Sequence, residues 1–426
     1  MPWSSGDSLS PSNLNRRGYG ASGIYNVKEY GTTSDGSTND ATAINLAIAA
    51  AESTVTVNSA NKNEVMLGSV VYMPPGNYAI GSPLTISKSG IELCGAGKGM
   101  TSLIPTGGGS AVIVGDGTTA NRPLDVTLRD FKVSYNDQFP STVGTVSAAT
   151  TDTPAILFQT ADQLNIENVA VFFDINNTVQ GLRGFKFDDC ELVTMRNCEA
   201  HELGGQSTGT ESVALHITNS AANHGNFHVD SFYARKAQVG LKLDSSNLLN
   251  SLVFTNFKVV NASMGASNVP KYGVWIGGNV VGTQFLAPHI EGQSGKSFYD
   301  AFFFDSSEAV IDNCVIMNAL VSRCSDTAFD LADSTNTIRN VHIYNTTLTG
   351  SAGETMPVAF DVGAKVEDTW IVGAARTAVS ITTFLADSSV TGSHNLFAWK
   401  ASSIASDVQD WKLRGAITVD SITTLS

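Results

Sequence analysis

The sequence predicts an all-β fold: a right-handed parallel β-helix, a three-sheet solenoid with a short N-terminal capping helix. Three observations lead to this prediction: a six-residue pattern that recurs along the chain, a second short apolar strand before each copy, and an apolar content sufficient for a continuous core. Of the 426 residues, 42% are hydrophobic, and the chain contains 39 Gly and 20 Phe but only 12 Pro. Stacked coils bury such material in one elongated core, because each coil packs only on its neighbours.

The recurring pattern reads apolar, polar, Asn or Asp or a small residue, apolar, any residue, apolar. Its copies begin at Leu128, Ile166, Met195, Val229, Phe254, Phe285, Ile311, Ile338 and Val366. Successive copies are separated by 25 residues (229 to 254) to 38 residues (128 to 166), which matches one coil of a β-helix plus variable loops. Two short strands flanking a polar corner explain the pattern. We expect the corner residues to hydrogen-bond the turn backbone and to form an Asn-rich ladder along the solenoid.

The second strand opens with a small residue, as in Gly184-Phe185-Lys186-Phe187 and Gly240-Leu241-Lys242-Leu243. Alternation of side chains along each strand predicts which residues face outward. The first predicted outward column is Leu157, Lys186, His216, Lys242, Trp275, Phe303, Asp330 and Asp361. The next is Gln159, Asp188, Thr218, Asp244, Gly277, Asp305, Ala332 and Gly363.

The two ends of the chain differ from the coils. Apolar residues at helical spacing predict an amphipathic helix over residues 40–51, with Thr38 as its N-cap, covering the open end of the solenoid. Residues 1–23, rich in Ser, Asn and Gly, are expected to form an arm that becomes ordered on a partner. The β-helix is expected over 24–380, and 381–426 as a segment that closes the far end or contacts another subunit.

Charge and motifs exclude several function classes. The net charge of -14, with Lys and Arg dispersed, argues against nucleic-acid binding. No apolar stretch reaches the length of a membrane span, so no membrane insertion is expected, and the N-terminus lacks the features of a secretion signal. The five cysteines have no paired spacing and are expected to be reduced. No nucleotide motif or clustered metal-ligand set is present, so neither a metal nor a cofactor is expected.

Four segments near the N-terminus carry a resemblance to a known family: residues 25–31, 34–40, 68–78 and 91–97. Together with the coils, they resemble pectate-lyase-like phage tailspikes over residues 24–380. The resemblance implies a homotrimer, attachment to a phage tail or baseplate protein through the N-terminal arm, and a host surface polysaccharide (lipopolysaccharide or capsule) as substrate. The reduced cysteines and the missing secretion signal fit a virion protein of a phage tail that is made in the host cytoplasm and released at lysis, and they fit a cytosolic enzyme equally. The same signature precedes hydrolases, lyases and adhesins, so it does not specify the activity.

The outward columns contain the candidate site. Glycoside hydrolysis needs two carboxylates flanking the bond, about 6.5–9.5 Å apart for inversion and about 5–5.5 Å for retention. Asp244 and Asp305 are two coils apart with Trp275 between them, and we expect them to act as acid and base. Lys242 and His216 are expected to hold substrate beside Trp275, and Asp188 is the substitute catalytic partner. These Asp residues could equally serve to begin turns and cap strand ends.

Other sites and activities remain open from the sequence alone. His289 and Glu291, near Tyr233 and Arg235, form a rival substrate site that could contribute to a groove between subunits. A free polysaccharide lyase or hydrolase is one alternative to the tailspike. A non-catalytic glycan-binding adhesin is the other.

Overall fold

The computed structural model describes most of the chain outside the N-terminal arm and several loops. The described residues are 23–57, 65–106, 109–118, 122–135, 153–173, 181–204, 211–221, 223–261, 270–293, 297–305, 310–331, 336–350, 355–363, 365–377, 380–387, 395–399 and 412–414. The predicted arm lies outside them except for Gly23. Of the predicted C-terminal segment, three strands are described.

The elements follow one another as short strands after a single α-helix. The N-terminal part contains β1 (Ile24–Asn26), a 3-10 helix (Val27–Tyr30), β2 (Asp35–Asn39), α1 (Ala41–Glu52), β3 (Thr56–Val57), β4 (Val65–Leu67), β5 (Ser69–Tyr72), β6 (Gly76–Ile80), β7 (Leu84–Ile86), β8 (Ile91–Cys94), β9 (Thr101–Pro105) and β10 (Val112–Val114). The middle part contains β11 (Leu124–Ser134), β12 (Thr153–Gln159), β13 (Asp162–Phe172), β14 (Leu182–Asp188), β15 (Glu191–Arg196), β16 (Glu199–Gly204), β17 (Val213–Thr218), β18 (His224–Asp230), β19 (Tyr233–Ala237), β20 (Val239–Thr255), β21 (Lys258–Val260), β22 (Tyr272–Leu286), β23 (His289–Glu291) and β24 (Asp300–Asp305). The C-terminal part contains β25 (Ile311–Met317), β26 (Leu320–Ser322), β27 (Thr327–Leu331), β28 (Ile338–Tyr344), β29 (Thr347–Thr349), β30 (Thr355–Val362), β31 (Val366–Glu367), β32 (Trp370–Thr377), β33 (Ser380–Asp387), β34 (Asn395–Trp399) and β35 (Lys412–Arg414).

The strands confirm the predicted right-handed parallel β-helix with three strand stacks. One stack runs through β12, β14, β17, β20, β22, β24, β27 and β30, each strand parallel to the next. A second contains the strands before the polar corners, and a third those after them, as in the stack of β16, β19, β21, β23 and β26. Beyond residue 380, β33 and β34 continue the parallel pairing, whereas β35 pairs antiparallel with β34.

The predicted corner ladder exists and has an unpredicted backbone conformation. All its members adopt positive φ, between 47° and 62°: Asp130, Asn168, Asn197, Ser231, Asn256, Ala287, Asn313, Asn340 and Asp368. Asn and Asp tolerate this left-handed region better than most residues, which explains their enrichment. The side chains also bond between coils, since Asn168 Nδ2 donates to Asp130 Oδ1 at 2.7 Å. Asn or Asp therefore occupies seven of these nine left-handed corners.

Aromatic side chains stack inside the solenoid in step with the coils. Phe329 lies 5.0 Å from Phe302 and 5.1 Å from Phe360, measured between ring centroids. These three residues are direct neighbours across β24, β27 and β30. The five cysteines are free, and all five are buried. The stacked core side chains thus keep successive strands, and the outward side chains that they carry, in register.

Helix α1 packs on the first coils as a cap, but its N-cap differs from the prediction. Asp40, and not Thr38, occupies the N-cap position, and it makes no side-chain capping bond. The Asp40 carboxylate accepts instead from the backbone amides of Thr33 and Ser34, at 2.7 and 2.9 Å. Thr38 bonds Asp35, because the loop before the helix folds on its own acidic residue. No helix among the described residues is long and apolar enough to cross a membrane.

Candidate functional site

The outer face of the first strand stack carries the predicted columns in register. Direct Cα neighbours in the first column are Leu157, Lys186, His216, Lys242, Trp275, Phe303, Asp330 and Asp361, in that order. In the second column, Gln159, Asp188 and Thr218 are neighbours, and so are Asp244, Gly277 and Asp305. Inward-facing apolar residues alternate with these positions, so the core fixes their direction.

A cleft of about 410 Å³ lies on this face between two of the predicted carboxylates. Its lining, here called the carboxylate cleft, is Thr218, Lys242, Asp244, Ser245, Ser246, Trp275, Gly277, Gly278 and Asp305. Asp244 and Asp305 stand two strands apart, which is roughly 9.6 Å at the usual strand spacing. Gly277 lies between them and has no side chain to separate the two carboxylates.

Gly277 also leaves room for the indole of Trp275. A Cβ atom at position 277 would lie 3.1 Å from Trp275 Nε1 and 3.4 Å from the Asp305 carbonyl oxygen. Trp275 Nε1 is buried and has no hydrogen-bond partner among the described residues. The ring approaches the strand so closely that a side chain at position 277 would displace it by a few tenths of an ångström.

Asp244 is held by one partner on the neighbouring strand β17 and one partner on its own strand β20. His216 Nε2 lies 2.6 Å from Asp244 Oδ1, and Lys242 Nζ lies 2.9 Å from Asp244 Oδ2. Burial raises the pKa of Asp244, but the hydrogen bond and charge of His216 and the charge of Lys242 outweigh it, so this pKa lies well below its ordinary value. Burial lowers the pKa of His216, against the opposing effect of Asp244. The hydrogen bond from His216 and the charge of Lys242 keep Asp244 ionised.

Three aromatic rings form a platform beside the cleft, defined by Tyr272, Trp275 and Phe303. Lys242 Nζ lies 3.9 Å from the Trp275 ring centroid, a cation–π contact. Tyr272 stacks on Phe303 at 4.6 Å and meets Trp275 edge-on at 5.4 Å. Phe303 was expected to be exposed, but it is only 8% accessible because Tyr272 covers it. Trp275 is the ring of this platform that borders the cleft.

The structure separates the remaining candidates from the cleft. Asp188 is the register neighbour of Thr218, yet it does not line the cleft, and its Oδ1 is buried without a partner in the described chain. His289 and Glu291 lie on β23, in the third stack, with His289 Nε2 3.3 Å from Glu291 Oε2. The predicted rival site is therefore on a different face from the carboxylate cleft.

A family profile shows which protein family the chain belongs to. The profile described as rhamnogalacturonase A/epimerase, pectate lyase-like, matches residues 24–284, more than half of the 426 residues. The chain belongs to this family. No curated protein matches the sequence.

Solved structures show the same fold for this pectate lyase-like chain. The N-terminal fragment of bacteriophage Phi29 gene product 12 aligns with a TM-score of 0.52 at 13% identity, covering 88% of this chain and 70% of that one. The Streptococcus pneumoniae surface adhesin PfbA aligns at 0.55 and 13% identity, covering 89% and 93%. DFA-IIIase from Arthrobacter chlorophenolicus A6, without its lid and in complex with GF2, aligns at 0.55 and 15% identity, covering 93% and 99%. At these identities the likeness concerns the fold.

The face of this pectate lyase-like protein also contains an acidic end that sequence reasoning missed. We define it as Asp300, Asp326, Asp330 and Asp361. Asp300 is 1% exposed, and burial first, then the charge of Asp330, raises its pKa to about 8. Asp330 and Asp361 stood in the predicted column, but Asp300 and Tyr272 precede the small residue that opens each strand. Nothing in their spacing distinguished them from turn residues.

Proposed function

We propose that the protein binds and depolymerises a host surface polysaccharide by glycoside hydrolysis in the carboxylate cleft. The observation that carries this proposal is the pair Asp244 and Asp305, which face each other across Gly277 beside the half-buried Trp275. Their strand separation of roughly 9.6 Å lies near the upper limit for inversion, and the side chains can lean together over the glycine.

The partners of Asp244 suggest the division of roles. Asp244 is ionised, so in this proposal it accepts a proton from the attacking water, and Asp305 donates one to the leaving oxygen. The C–O bond to the leaving sugar breaks as the bond to water forms. His216 and Lys242 orient Asp244 through bonds of 2.6 and 2.9 Å, and Trp275 offers a ring on which the apolar face of a sugar can stack.

The biological setting we propose is a phage virion. The protein would attach to a tail or baseplate protein through residues 1–23, assemble as a homotrimer and reach the polysaccharide with its β-helix. The fold shared with a bacteriophage Phi29 protein supports this setting without identifying the activity. Mass spectrometry of purified virions and light scattering of the protein with and without residues 1–23 test it. A free enzyme would keep its oligomeric state and activity after this deletion and would be absent from virions.

The test of the activity is a panel of bacterial surface polysaccharides, with product size and absorbance near the unsaturated-uronate band measured together. We expect shortened chains without new absorbance. The rate of depolymerisation should fall about 100-fold or more, or about 2.7 kcal/mol, in Asp244→Asn and in Asp305→Asn. Asp188→Asn, off the cleft in the same column, is the matched control and is expected to retain activity. New absorbance would show β-elimination, and the proposal of hydrolysis would be wrong.

A non-catalytic adhesin is the second candidate function. It is favoured by one observation: both oxygens of Asp244 are already bonded to neighbouring side chains, which suits a rigid binding surface. In that case a polysaccharide would bind without shortening. Asp305→Asn would then change only its affinity.

A further inference from the structure

The outer face of the second stack changes its chemistry along the solenoid. Two outward columns follow from the pairing of β11, β13, β15, β18, β20, β22, β25, β28 and β32. The first column is Thr127, Asn165, Thr194, His228, Val253, Gln284, Val315, His342 and Trp370. The second column is Arg129, Glu167, Arg196, Asp230, Thr255, Leu286, Met317, Tyr344 and Val372. Each of the first four coils therefore places a charge on this face, whereas none of the last five has Asp, Glu, Lys or Arg in either column.

The last five coils of this face carry an apolar strip, defined by Leu286, Val315, Met317, Tyr344, Trp370 and Val372. The ring of Trp370 packs on the ring of His342 at 5.1 Å, and 43% of Trp370 stays exposed. His342 in turn meets Tyr344 edge-on at 6.0 Å. The strip extends about 19 Å from its first strand to its last, and its ten outward positions cover roughly 300 Å² of sheet.

Polar residues border the strip on both sides. On one side Arg339 Nη2 lies 2.8 Å from Asp312 Oδ2. On the other side Asn318 and Asn345 occupy exposed left-handed corners. An apolar centre with aromatic residues and Met, surrounded by a polar rim, is the usual anatomy of a protein–protein interface. A centre of roughly 300 Å² and its rim suit an interface that takes about 800 Å² from each partner.

The composition of the strip favours a protein partner over a polysaccharide. A sugar carries hydroxyl groups on its edges, and a site that binds it needs polar groups to pair with them. The carboxylate cleft offers such groups in Thr218, Lys242 and Asp244. The strip instead presents mainly aliphatic side chains, such as those of Leu286 and Val315, beside its aromatic rings.

The pattern of charge favours a second copy of the same chain as the partner. When parallel copies surround a rotation axis along the solenoid, a residue near the axis meets the same residue of the other copies. The first four coils are unsuited to that position, because Arg129 would meet Arg129 and Glu167 would meet Glu167. The apolar strip has no such conflict and is complementary to itself.

We propose that copies of this chain associate side by side through the apolar strip, around an axis parallel to the solenoid. The proposal rests on the proposed homotrimer and adds the surface that forms it. Trp370 and Met317 lie at the centre of the contact. The three stacks face three directions, so the face that carries the carboxylate cleft points away from the axis. Each cleft, lined by residues of one chain, is then open to the polysaccharide.

Sedimentation equilibrium of the full-length protein tests the association. The wild-type protein should have the mass of three chains. Trp370→Glu brings like charges together at the axis and should raise the dissociation constant about 30-fold or more, whereas Trp370→Phe should retain the oligomer. Thr194→Glu, in the same column on a charged coil, is the matched control and should leave the mass unchanged. Trp370 lies outside the core, so the circular dichroism spectrum of the dissociated variant should match that of the wild type.

Crosslinking locates the contact without depending on dissociation. All five native cysteines are buried, so a cysteine introduced on the surface provides the reactive thiol. Gln284 is exposed on the second coil of the strip, and Gln284→Cys should be joined between copies by a short bismaleimide. Thr194→Cys, in the same column outside the strip, should not be joined.

The outcomes separate this proposal from the proposed function. A wild-type trimer that Trp370→Glu leaves intact, or that Gln284→Cys does not crosslink, overturns the strip and leaves the homotrimer standing. A monomeric wild-type protein overturns both. Weaker binding of polysaccharide by Trp370→Glu at an unchanged mass would make the strip a glycan surface and overturn the proposal.

The depolymerase is tested on its own by the polysaccharide panel. Because each cleft is complete within one chain, dissociated Trp370→Glu should cleave at the wild-type rate per chain. Loss of cleavage together with loss of the oligomer would overturn the outward placement of the cleft.

Discussion

Replacing Gly277 by alanine and then by valine should fill the space between Asp244 and Asp305 while the protein stays folded. Gly277 is not among the positive-φ residues, so a side chain introduces no backbone strain. The nearest contacts of a new Cβ would be 3.1 Å to Trp275 Nε1 and 3.4 Å to a carbonyl oxygen, which small shifts can relieve. Reduced freedom of the unfolded chain contributes about 0.4–1 kcal/mol in the opposite direction. We therefore expect the free energy of unfolding to change by less than about 1 kcal/mol.

The adjacent Gly278 provides the contrasting variant. Its φ is +70°, and a Cβ there would lie 2.2 Å from the Ser245 carbonyl oxygen. The left-handed conformation costs an alanine about 1–2 kcal/mol, and the backbone clash adds to it, so Gly278→Ala should lose at least about 2 kcal/mol. With an unfolding entropy of about 2.1 cal/mol/K per residue over 426 residues, this loss lowers Tm by about 2 °C.

Thermal unfolding and turnover of the polysaccharide, measured on the same samples, separate the two glycines. Gly277→Ala should keep the wild-type Tm and lose about tenfold in turnover, or about 1.4 kcal/mol, and Gly277→Val should lose more. Gly278→Ala should lower Tm, which Gly277→Ala should not. If Gly277→Val turns over the glycan at the wild-type rate, the sugar does not pass between the two carboxylates and the assignment of the cleft is refuted.

Four further changes test the remaining interactions. His216→Gln removes a hydrogen bond that lowers the pKa of Asp244, so the acid limb of the kcat/KM profile should move to higher pH. Trp275→Ala should weaken glycan binding by about 1.5 kcal/mol, roughly tenfold, in affinity electrophoresis, and Trp275→Phe should restore part of it. The pKa of Asp300 is raised to about 8 in the folded protein, so Asp300 holds a proton there that it loses near pH 4 in the unfolded chain. The free energy of unfolding should therefore fall as the pH rises from about 4 to about 8, and it should fall less in Asp300→Asn. Asn168 adopts a φ of 54°, so Asn168→Ala should lower the free energy of unfolding by about 1 kcal/mol and Asn168→Gly by less, measured from the denaturant midpoint.

The coil architecture could be predicted because each repeat contains the residue types that its own strands and corner require. Alternating apolar residues identify the inward face, and an Asn or Asp identifies the corner, as at Asn168 and Asn340. The register then follows from stacking identical units, which is why Lys242, Trp275 and Phe303 lie side by side as expected. The positive φ at the corners was not predicted, although the frequency of Asn was its signal.

The interactions between neighbouring columns were harder to predict. Sequence spacing placed Asp244 opposite Asp305, but not the bonds to His216 and Lys242 that determine its charge. Tyr272 was missed because it precedes the small residue Gly273, at which the predicted strand began, whereas the observed strand β22 begins at Tyr272 itself. Thr38 was assigned as the N-cap from residue type alone. The folded loop instead directs Asp40 toward the amides of Thr33 and Ser34.

Parallel stacking restricts the distances available to a site on this face. Carboxylates on the outward columns can only be separated by whole strand spacings, about 4.8 Å for neighbours and about 9.6 Å for every second strand. Asp330 and Asp361 occupy the first distance, near that of retaining hydrolysis, and Asp244 and Asp305 the second, near that of inversion. Asp244 and Asp305, two strand spacings apart, can act on one bond only if the residue between them is small, and that residue is Gly277. The absence of a side chain on one coil thus makes the wider pair accessible to a sugar.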